Sequence, residues 1–255
     1  MNRIIKIILI DILKSKIVLA YTFILAILSW SSFALEDNSA KGILTILNVI
    51  LFTVPLVSIL FATIYLYNSS EFIELLLSQP IKRRKIWISL FLGLSISMII
   101  AFFVGAGIPL LINSPDSIGI IMLINGCLIT VIFTALAFLS SILTRDKAKG
   151  IGIAIMTWLF FALLFDGLVL FLLFQFQDYP IENAMVGITA FSPIDLARIQ
   201  ILLHLDVSAM MGYTGAIFKD FFGTAIGLIV SFLLLSLWVI IPFFISLRKF
   251  NKKDL

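Results

Sequence analysis

The chain has 255 residues, of which 62% are hydrophobic and 13% are charged, and it carries a formal net charge of +4. Soluble domains are roughly half apolar and a quarter charged, so this composition excludes an ordinary soluble protein. It indicates an integral membrane protein.

The N-terminal arm, MNRIIKIILIDILKSK (1–16), is the first predicted element. Lys6, Asp11 and Lys14 interrupt its isoleucines, and no small-residue cleavage site follows at a suitable distance, so a signal peptide is not favoured. We expect an amphipathic interfacial helix on the inner membrane surface, with cations at the headgroups and isoleucines in the acyl boundary. The alternative is a cytoplasmic extension of the first span.

Six apolar segments are long enough to cross a bilayer, since about 20 helical residues span roughly 30 Å of hydrocarbon. They lack the period of two that barrel strands require. The predicted spans are 17–35, 43–67, 86–112, 118–143, 151–174 and 222–247. The sequence therefore predicts an all-α membrane protein, with a single transmembrane domain over residues 1–255.

Basic residues predict the orientation of these spans. Fifteen of the 18 Lys and Arg residues lie in the N-terminal arm, in 82–85, in 145–149 and in the tail from 248 onward. These groups fall on alternate sides of six spans, and basic flanks stay cytoplasmic, so both termini are predicted to be cytoplasmic. The positive charge is thus a topology signal, and we expect no nucleic acid partner.

Between spans two and three lies a compact polar segment, SSEFIELLLSQPIKRRKIW (69–87). Ser70 is the predicted N-cap, Glu71 and Glu74 suit the first turns, and Pro80 stops the helix. The sequence predicts a short cytoplasmic helix over 70–79, with one face made of Phe72, Leu75, Leu76 and Gln79. Such a helix suits a groove on a soluble partner, or it lies on the membrane; the residues leave both interpretations open.

Asp166 is the single acid well inside a predicted span, about 22 Å from the inner end of span five. An intramembrane carboxylate is costly and indicates a function facing the bundle interior or a wet cavity. The structural alternative is a protonated side chain bonded to Asn48 or Asn125. Cys127, the one cysteine, is interpreted as a packing residue.

The segment 175–221 follows span five on the predicted outer side. Ser192, Pro193 and Asp195 indicate a helix start, and the helix is expected to run to about Leu205. Its apolar side chains need burial, so we expect it to cap the outer opening or to carry a partner. The glycines of MGYTGAIF (211–218) predict a bend before span six. Imidazole and thioethers suit Cu(I), but packing is favoured because the spacing matches no ligand pattern; the residues concerned are His204, Met185, Met210 and Met211.

This order of elements resembles the ABC-2 type permeases of ATP-binding-cassette transporters, whose fold is that of type V exporters. More narrowly, ELLLSQPIKRRKI (74–86) and SPIDLARIQILLHLDVSAMMGYTGAIF (192–218) resemble the permease subunit of the nitrous-oxide-reductase maturation transporter. The resemblance implies a homodimer in the lipid of the bacterial inner membrane, with two cytoplasmic ATPase subunits. It makes helix 70–79 the coupling helix, which docks the ATPase through Glu71, Phe72, Glu74, Leu75, Leu76, Gln79, Pro80 and Arg83.

The resemblance also implies a periplasmic accessory protein and a role in assembling a copper–sulfur centre. Residues expected at the outer partner or gate are Ser192, Pro193, Asp195 and Arg198. The chain contains no G-x-x-x-x-G-K-[ST] loop, so we expect it to be no enzyme and to bind no cofactor, with ATP and Mg in the partner subunit. The alternatives are an ABC-2 exporter for an unrelated small molecule or lipid, and an ATPase-independent secondary transporter or channel.

Overall fold

The computed structural model describes residues 2–35, 39–176, 187–205 and 225–252, and these residues are helical apart from short turns. The N-terminal helices are α1 (Asn2–Leu13), α2 (Lys16–Ala34), α3 (Ser39–Asn68) and α4 (Ser70–Leu77). α5 (Arg83–Phe102) continues through a π-helical turn (Phe103–Gly107) into α6 (Ile108–Asn113), and α7 is Ser117–Leu143. α8 (Lys147–Leu159) continues through a second π-helical turn (Phe160–Leu164) into α9 (Phe165–Gln175), followed by α10 (Pro193–His204) and α11 (Ala225–Lys252).

Within these ranges, six helical stretches are long and apolar enough to cross a membrane, as predicted. Spans one to six are Lys16–Ala34, Lys41–Asn68, Arg83–Asn113, Ser117–Leu143, Lys147–Leu172 and Gly227–Lys252. We call the end of the bundle that carries α4 and Lys252 the inner end, and the opposite end the outer end. The predicted bend at 211–218 lies outside the described residues.

Spans two and four form the centre of the bundle, where α3 packs along α7 and α7 also packs on α11. Lipid offers no hydrophobic driving force between helices, so close packing of small groups holds them together. At Gly126 of α7 an added Cβ would lie 2.7 Å from Cε1 of the buried Phe102 ring, so only glycine lets α5 approach this closely. Thr63 and Ser140 add a hydroxyl contact of 3.4 Å between spans two and four.

Spans five and six are the spans least covered by the rest of the chain. Large apolar side chains such as Leu163, Leu168 and Phe171 on span five and Ile241 on span six are exposed. These faces require lipid or another protein surface.

The N-terminal arm is a separate helix, since the chain is extended at Ser15 between α1 and α2. Its isoleucines were expected in the acyl boundary, and for Ile8 and Ile12 that is wrong, because both are fully buried in the protein. Ile8 packs on α5, where an added Cβ at Gly93 would lie 2.7 Å from its Cγ2. Ile7 and Ile10 are exposed and remain free for the lipid.

α10 begins deep in the bundle and runs outward. Near its start, Trp238 Nε1 of span six donates to the Ala190 carbonyl over 3.2 Å, and further along Gln200 Nε2 donates to Ser231 Oγ. Trp238 lies about 10 Å deeper than Ser231 and about 15 Å from Arg248 at the inner end, at 1.5 Å per residue. The turn before α10 thus reaches about halfway through a bilayer of roughly 30 Å.

Candidate functional site

The first candidate site is α4, which projects from the inner end of span two. α3 ends at Asn68 and α4 starts at Ser70, so one residue separates the short helix from a span of the bundle. Ser69 occupies the N-cap position, although its side chain makes no capping hydrogen bond, and Ser70, the predicted cap, is the first helical residue instead. The helix ends at Leu77, two residues before the predicted end at Gln79.

α4 has one face on the bundle and one face exposed. Ile73 and Leu76 are buried, whereas Glu71, Glu74 and Leu75 are exposed, with Leu75 at 66%. The predicted shared face is therefore wrong, because Leu76 points inward and Leu75 points outward. Phe72 is half-buried, while Gln79 and Pro80 are exposed in the turn that leads to Arg83 at the start of α5.

Tyr67 fastens the end of span two to the end of span four. Its hydroxyl lies 2.7 Å from Thr144 Oγ1 and 3.2 Å from the Thr144 carbonyl oxygen. Gly150 of α8 lies against the ring, where an added Cβ would lie 2.5 Å from Cε2 and Cζ and closer still to Oη. The inner end of α3 is thus held to spans four and five, within one helical turn of the start of α4.

A cavity of about 330 Å³ lies beside α4 at the inner ends of the spans. Glu74 and Arg145 line it together with Tyr67, and Trp87 and Phe250 form part of its apolar wall. Trp87 stacks on Phe250 at 4.2 Å between ring centroids and donates to Ser246 Oγ over 3.1 Å. The apolar wall of this cavity therefore joins the start of span three to the end of span six.

The second candidate site surrounds Asp166 near the outer end. Arg198 Nη1 of α10 donates to Asp166 Oδ2 over 2.8 Å and lies 3.4 Å from Asp195 Oδ1. The structural alternative gave Asp166 a hydrogen-bonded neighbour such as Asn48 or Asn125, and the structure corrects this: Asn48 is exposed and Asn125 donates to the Ile121 carbonyl. The carboxylate therefore joins span five to α10.

Asp195 is the most buried charged residue of this cluster, with 8% of its surface exposed. Ser192 caps α10 as predicted, since its Oγ accepts from the Asp195 backbone N–H over 3.2 Å, and Pro193 opens the helix. Burial first, and then the neighbouring Asp166 carboxylate, raise the pKa of Asp195 from 3.8 to about 7, against the lowering effects of Ser192 and Arg198.

The copper hypothesis for His204 and the three methionines is not tested by the part of the chain that the structure covers. No three His, Cys, Asp or Glu side chains gather there to hold an ion. His204 Nδ1 lies 2.9 Å from the Gln200 carbonyl oxygen within its own helix. Met185, Met210 and Met211 lie outside the described residues.

Sequence reasoning missed two features of these sites. Tyr67 and Gly150 lie 83 positions apart, and neither carries a pattern that reports their contact. The second feature is the pairing of Arg198, which was expected at an outer partner site. Its spacing of three residues from Asp195 on one helix is a signal for the ion pair between these two residues. Its pairing with Asp166 depends on the depth of α10, which composition does not reveal.

Comparison with known proteins gives two findings. Residues 3–255 match the family described as ABC-2 family transporter protein. The chain is also 28% identical over 173 residues to the probable ABC transporter permease protein NosY of Pseudomonas aeruginosa. That alignment spans 63% of this chain and 63% of the relative's length.

Proposed function

Because the chain belongs to the ABC-2 family of transporter proteins, we propose that it is a permease subunit whose movements are driven by ATP hydrolysis in a separate cytoplasmic subunit. In this proposal α4 is the coupling helix and docks on the ATPase, and the bundle transmits the resulting movement to the outer end.

The observation that carries this proposal is the position of α4. The helix is short and follows span two after one residue, and it is supported by Ile73 and Leu76 on its buried face. Its exposed face combines Glu71, Glu74 and Leu75. A rigid helix with an apolar and acidic face suits a groove with an apolar floor and basic rims on a soluble partner. A push on α4 reaches span two directly.

Co-purification tests the proposal. The full-length chain extracted from its native membrane is expected to bring down a soluble nucleotide hydrolase. Glu74→Lys reverses a charge on the exposed face of α4 and should reduce the recovered ATPase at least tenfold. Asp116→Lys reverses an exposed charge at the opposite end of the bundle and should leave recovery unchanged. Isolation of the wild-type chain without any nucleotide hydrolase would contradict the proposal.

We propose that two copies of the chain form the transporter. Spans five and six expose large apolar side chains over most of their length, and a second copy would cover part of this surface. Lipid of the bacterial inner membrane would cover the rest, with both termini on the cytoplasmic side. Native mass spectrometry of the intact complex should give two permease chains per assembly.

We further propose a role in assembling the copper–sulfur centre of nitrous-oxide reductase, together with a periplasmic accessory protein that contacts the outer end near α10. The similarity to the probable permease NosY supports this proposal, at 28% identity over 173 residues. Deletion of this chain and deletion of its ATPase should leave the same copper-centre defect. Different defects would favour the alternative of an ABC-2 exporter for an unrelated small molecule or lipid.

The copper proposal has a separate test on this chain. If the chain handled Cu(I) itself, replacing His204, Met210 and Met211 together would abolish copper retention by the purified complex. Unchanged retention would show that any copper chemistry belongs to the partners. An ATPase-independent carrier, the remaining alternative, would purify without a nucleotide hydrolase and keep its activity when ATP is removed.

A further inference from the structure

Asp166, Asp195 and Arg198 form a cluster in which two carboxylates share one nitrogen of one guanidinium. Arg198 Nη1 lies 2.8 Å from Asp166 Oδ2 and 3.4 Å from Asp195 Oδ1. With all three groups ionised the cluster carries one net negative charge. It lies beside span five in the outer half of the bundle, where a net charge is costly.

The hydrogen bonds at Asp195 do not suit a carboxylate anion. The contact between its Oδ1 and Arg198 Nη1 is 3.4 Å, which is long for a charge-assisted hydrogen bond. Its Oδ2 is buried and accepts no hydrogen bond from any residue that the structure describes. An ionised carboxylate would thus leave charge on an oxygen that neither water nor a donor reaches. A proton on this group removes that cost.

The helices packed around α10 offer no second cation to balance the charge within the described ranges. α7 contributes only Cys127 as a titratable group, and the cations of α11 lie at its inner end, from Arg248 onward. α3 contributes Lys41, which is exposed at the outer end of span two, and Tyr65 and Tyr67 at the inner end. On α10 itself, His204 bonds to the Gln200 carbonyl.

We propose that Asp195 holds a proton while α10 is docked, so that with Asp166 and Arg198 the cluster is electroneutral and fastens α10 to span five. Loss of this proton leaves two carboxylates for one guanidinium and weakens the contact. The docking of α10 on span five then depends on the pH at the outer end of the bundle.

The direction of the pH effect follows from the pKa of Asp195, which burial and Asp166 raise from 3.8 to about 7 in the docked helix. The docked state therefore binds the proton more tightly than the released state does. Docking is strongest below about pH 4, weakens by up to about tenfold per pH unit between about pH 4 and pH 7, and levels off above that range.

Hydrogen exchange of the full-length chain in lipid nanodiscs tests this proposal. After correction for the intrinsic exchange rates, protection of the amides of α10 should fall by up to about a hundredfold from pH 5 to pH 7. It should change little above about pH 7.5. In Asp195→Asn, which keeps the size of the side chain and cannot ionise, protection should not vary with pH. Asp116→Asn is the matched control and should behave as the wild type.

Infrared difference spectra give a second readout that does not depend on a variant. Between about pH 5.5 and pH 8 the wild type should lose the carbonyl stretch of a protonated carboxylic acid, with a midpoint near pH 7. Asp166→Asn removes the neighbouring negative charge and should lower that midpoint. A wild-type spectrum without this band, or constant protection of α10 between pH 5 and 7, would overturn the proposal. The proposal would also be overturned if the protection of α10 in Asp195→Asn fell with pH as steeply as in the wild type.

Discussion

Gly150→Ala should disrupt the joint that supports α4. The added Cβ would lie 2.5 Å from Cε2 and Cζ of Tyr67, whereas carbon atoms in contact ordinarily lie about 3.5–4.0 Å apart. The ring must therefore move by more than about 1 Å. That movement pulls the hydroxyl away from Thr144 Oγ1 and the Thr144 carbonyl, which lie at 2.7 and 3.2 Å.

The expected loss of stability combines the lost hydrogen bonds of the Tyr67 hydroxyl with the steric strain at its ring. Each hydrogen bond contributes about 1 kcal/mol, and overpacking of a well-packed site costs about 1–3 kcal/mol. Tyr67 is half-buried, so its ring can relieve part of the strain by moving outward. We expect a loss of about 2 kcal/mol in the free energy of unfolding, together with weaker coupling between ATPase activity and transport.

Gly152→Ala provides the matched control in the same helix. An added Cβ at Gly152 meets no atom within 4 Å, so this variant should lose no stability. Both variants are compared by reversible unfolding in mixed micelles, and ATPase activity is measured in the reconstituted complex. In a Tyr67→Phe background, Gly150→Ala should cost about 1 kcal/mol less because the hydroxyl contacts are already gone. Equal stability of the two alanine variants would refute the reasoning.

Three further predictions concern the docking face, the outer cluster and the core. The docking face is the exposed face of α4, made of Glu71, Glu74 and Leu75. Leu75→Ala removes an exposed side chain from this face and should weaken ATPase binding roughly tenfold, measured by titration of the ATPase onto nanodiscs. Leu35→Ala at the outer end should leave ATPase binding unchanged. Arg198→Met leaves two carboxylates without their shared cation and should lower the free energy of unfolding by about 1–2 kcal/mol. Adding Asp166→Asn to the same chain should restore part of this loss. Gly126→Ala places a Cβ against the buried Phe102 ring and should cost about 2–3 kcal/mol in the same assay; a change below 0.5 kcal/mol would contradict the packing described for spans three and four.

The six spans were predictable because a membrane imposes one length and one composition on every crossing helix. Spans one to four agree with the predicted ranges to within about three residues at each end. The start of α10 was equally readable, because Ser192, Pro193 and Asp195 satisfy the local rules for a helix N-terminus and need no tertiary information.

The faces of short helices were less predictable. The spacing of Phe72, Leu75, Leu76 and Gln79 groups apolar residues, but it does not report which side meets the bundle. Ile73 and Leu76 are buried because α4 turns back onto α5, and that direction is set at Ser69 and in the turn after Leu77. The isoleucines of α1 show the same limit, since Gly93 opens a site for Ile8 that the sequence of α1 does not contain.

The partner of Asp166 was not predictable because it depends on depth. Counting residues placed the carboxylate correctly in the outer part of span five, and Asn48 and Asn125 were chosen as the polar residues inside other spans. α10 reaches down into the bundle and brings Arg198 to the carboxylate. An arginine partner satisfies an acid better than an amide does, because it supplies both donors and the opposite charge.

The central claim is that work from a cytoplasmic ATPase enters the bundle through α4. A photoreactive residue at position 75, on the exposed face of α4, tests this claim in native membranes, with position 35 as the control. The proposal predicts an ATP-sensitive crosslink from position 75 to a soluble nucleotide hydrolase and none from position 35. Crosslinks from position 75 to lipid alone would contradict it.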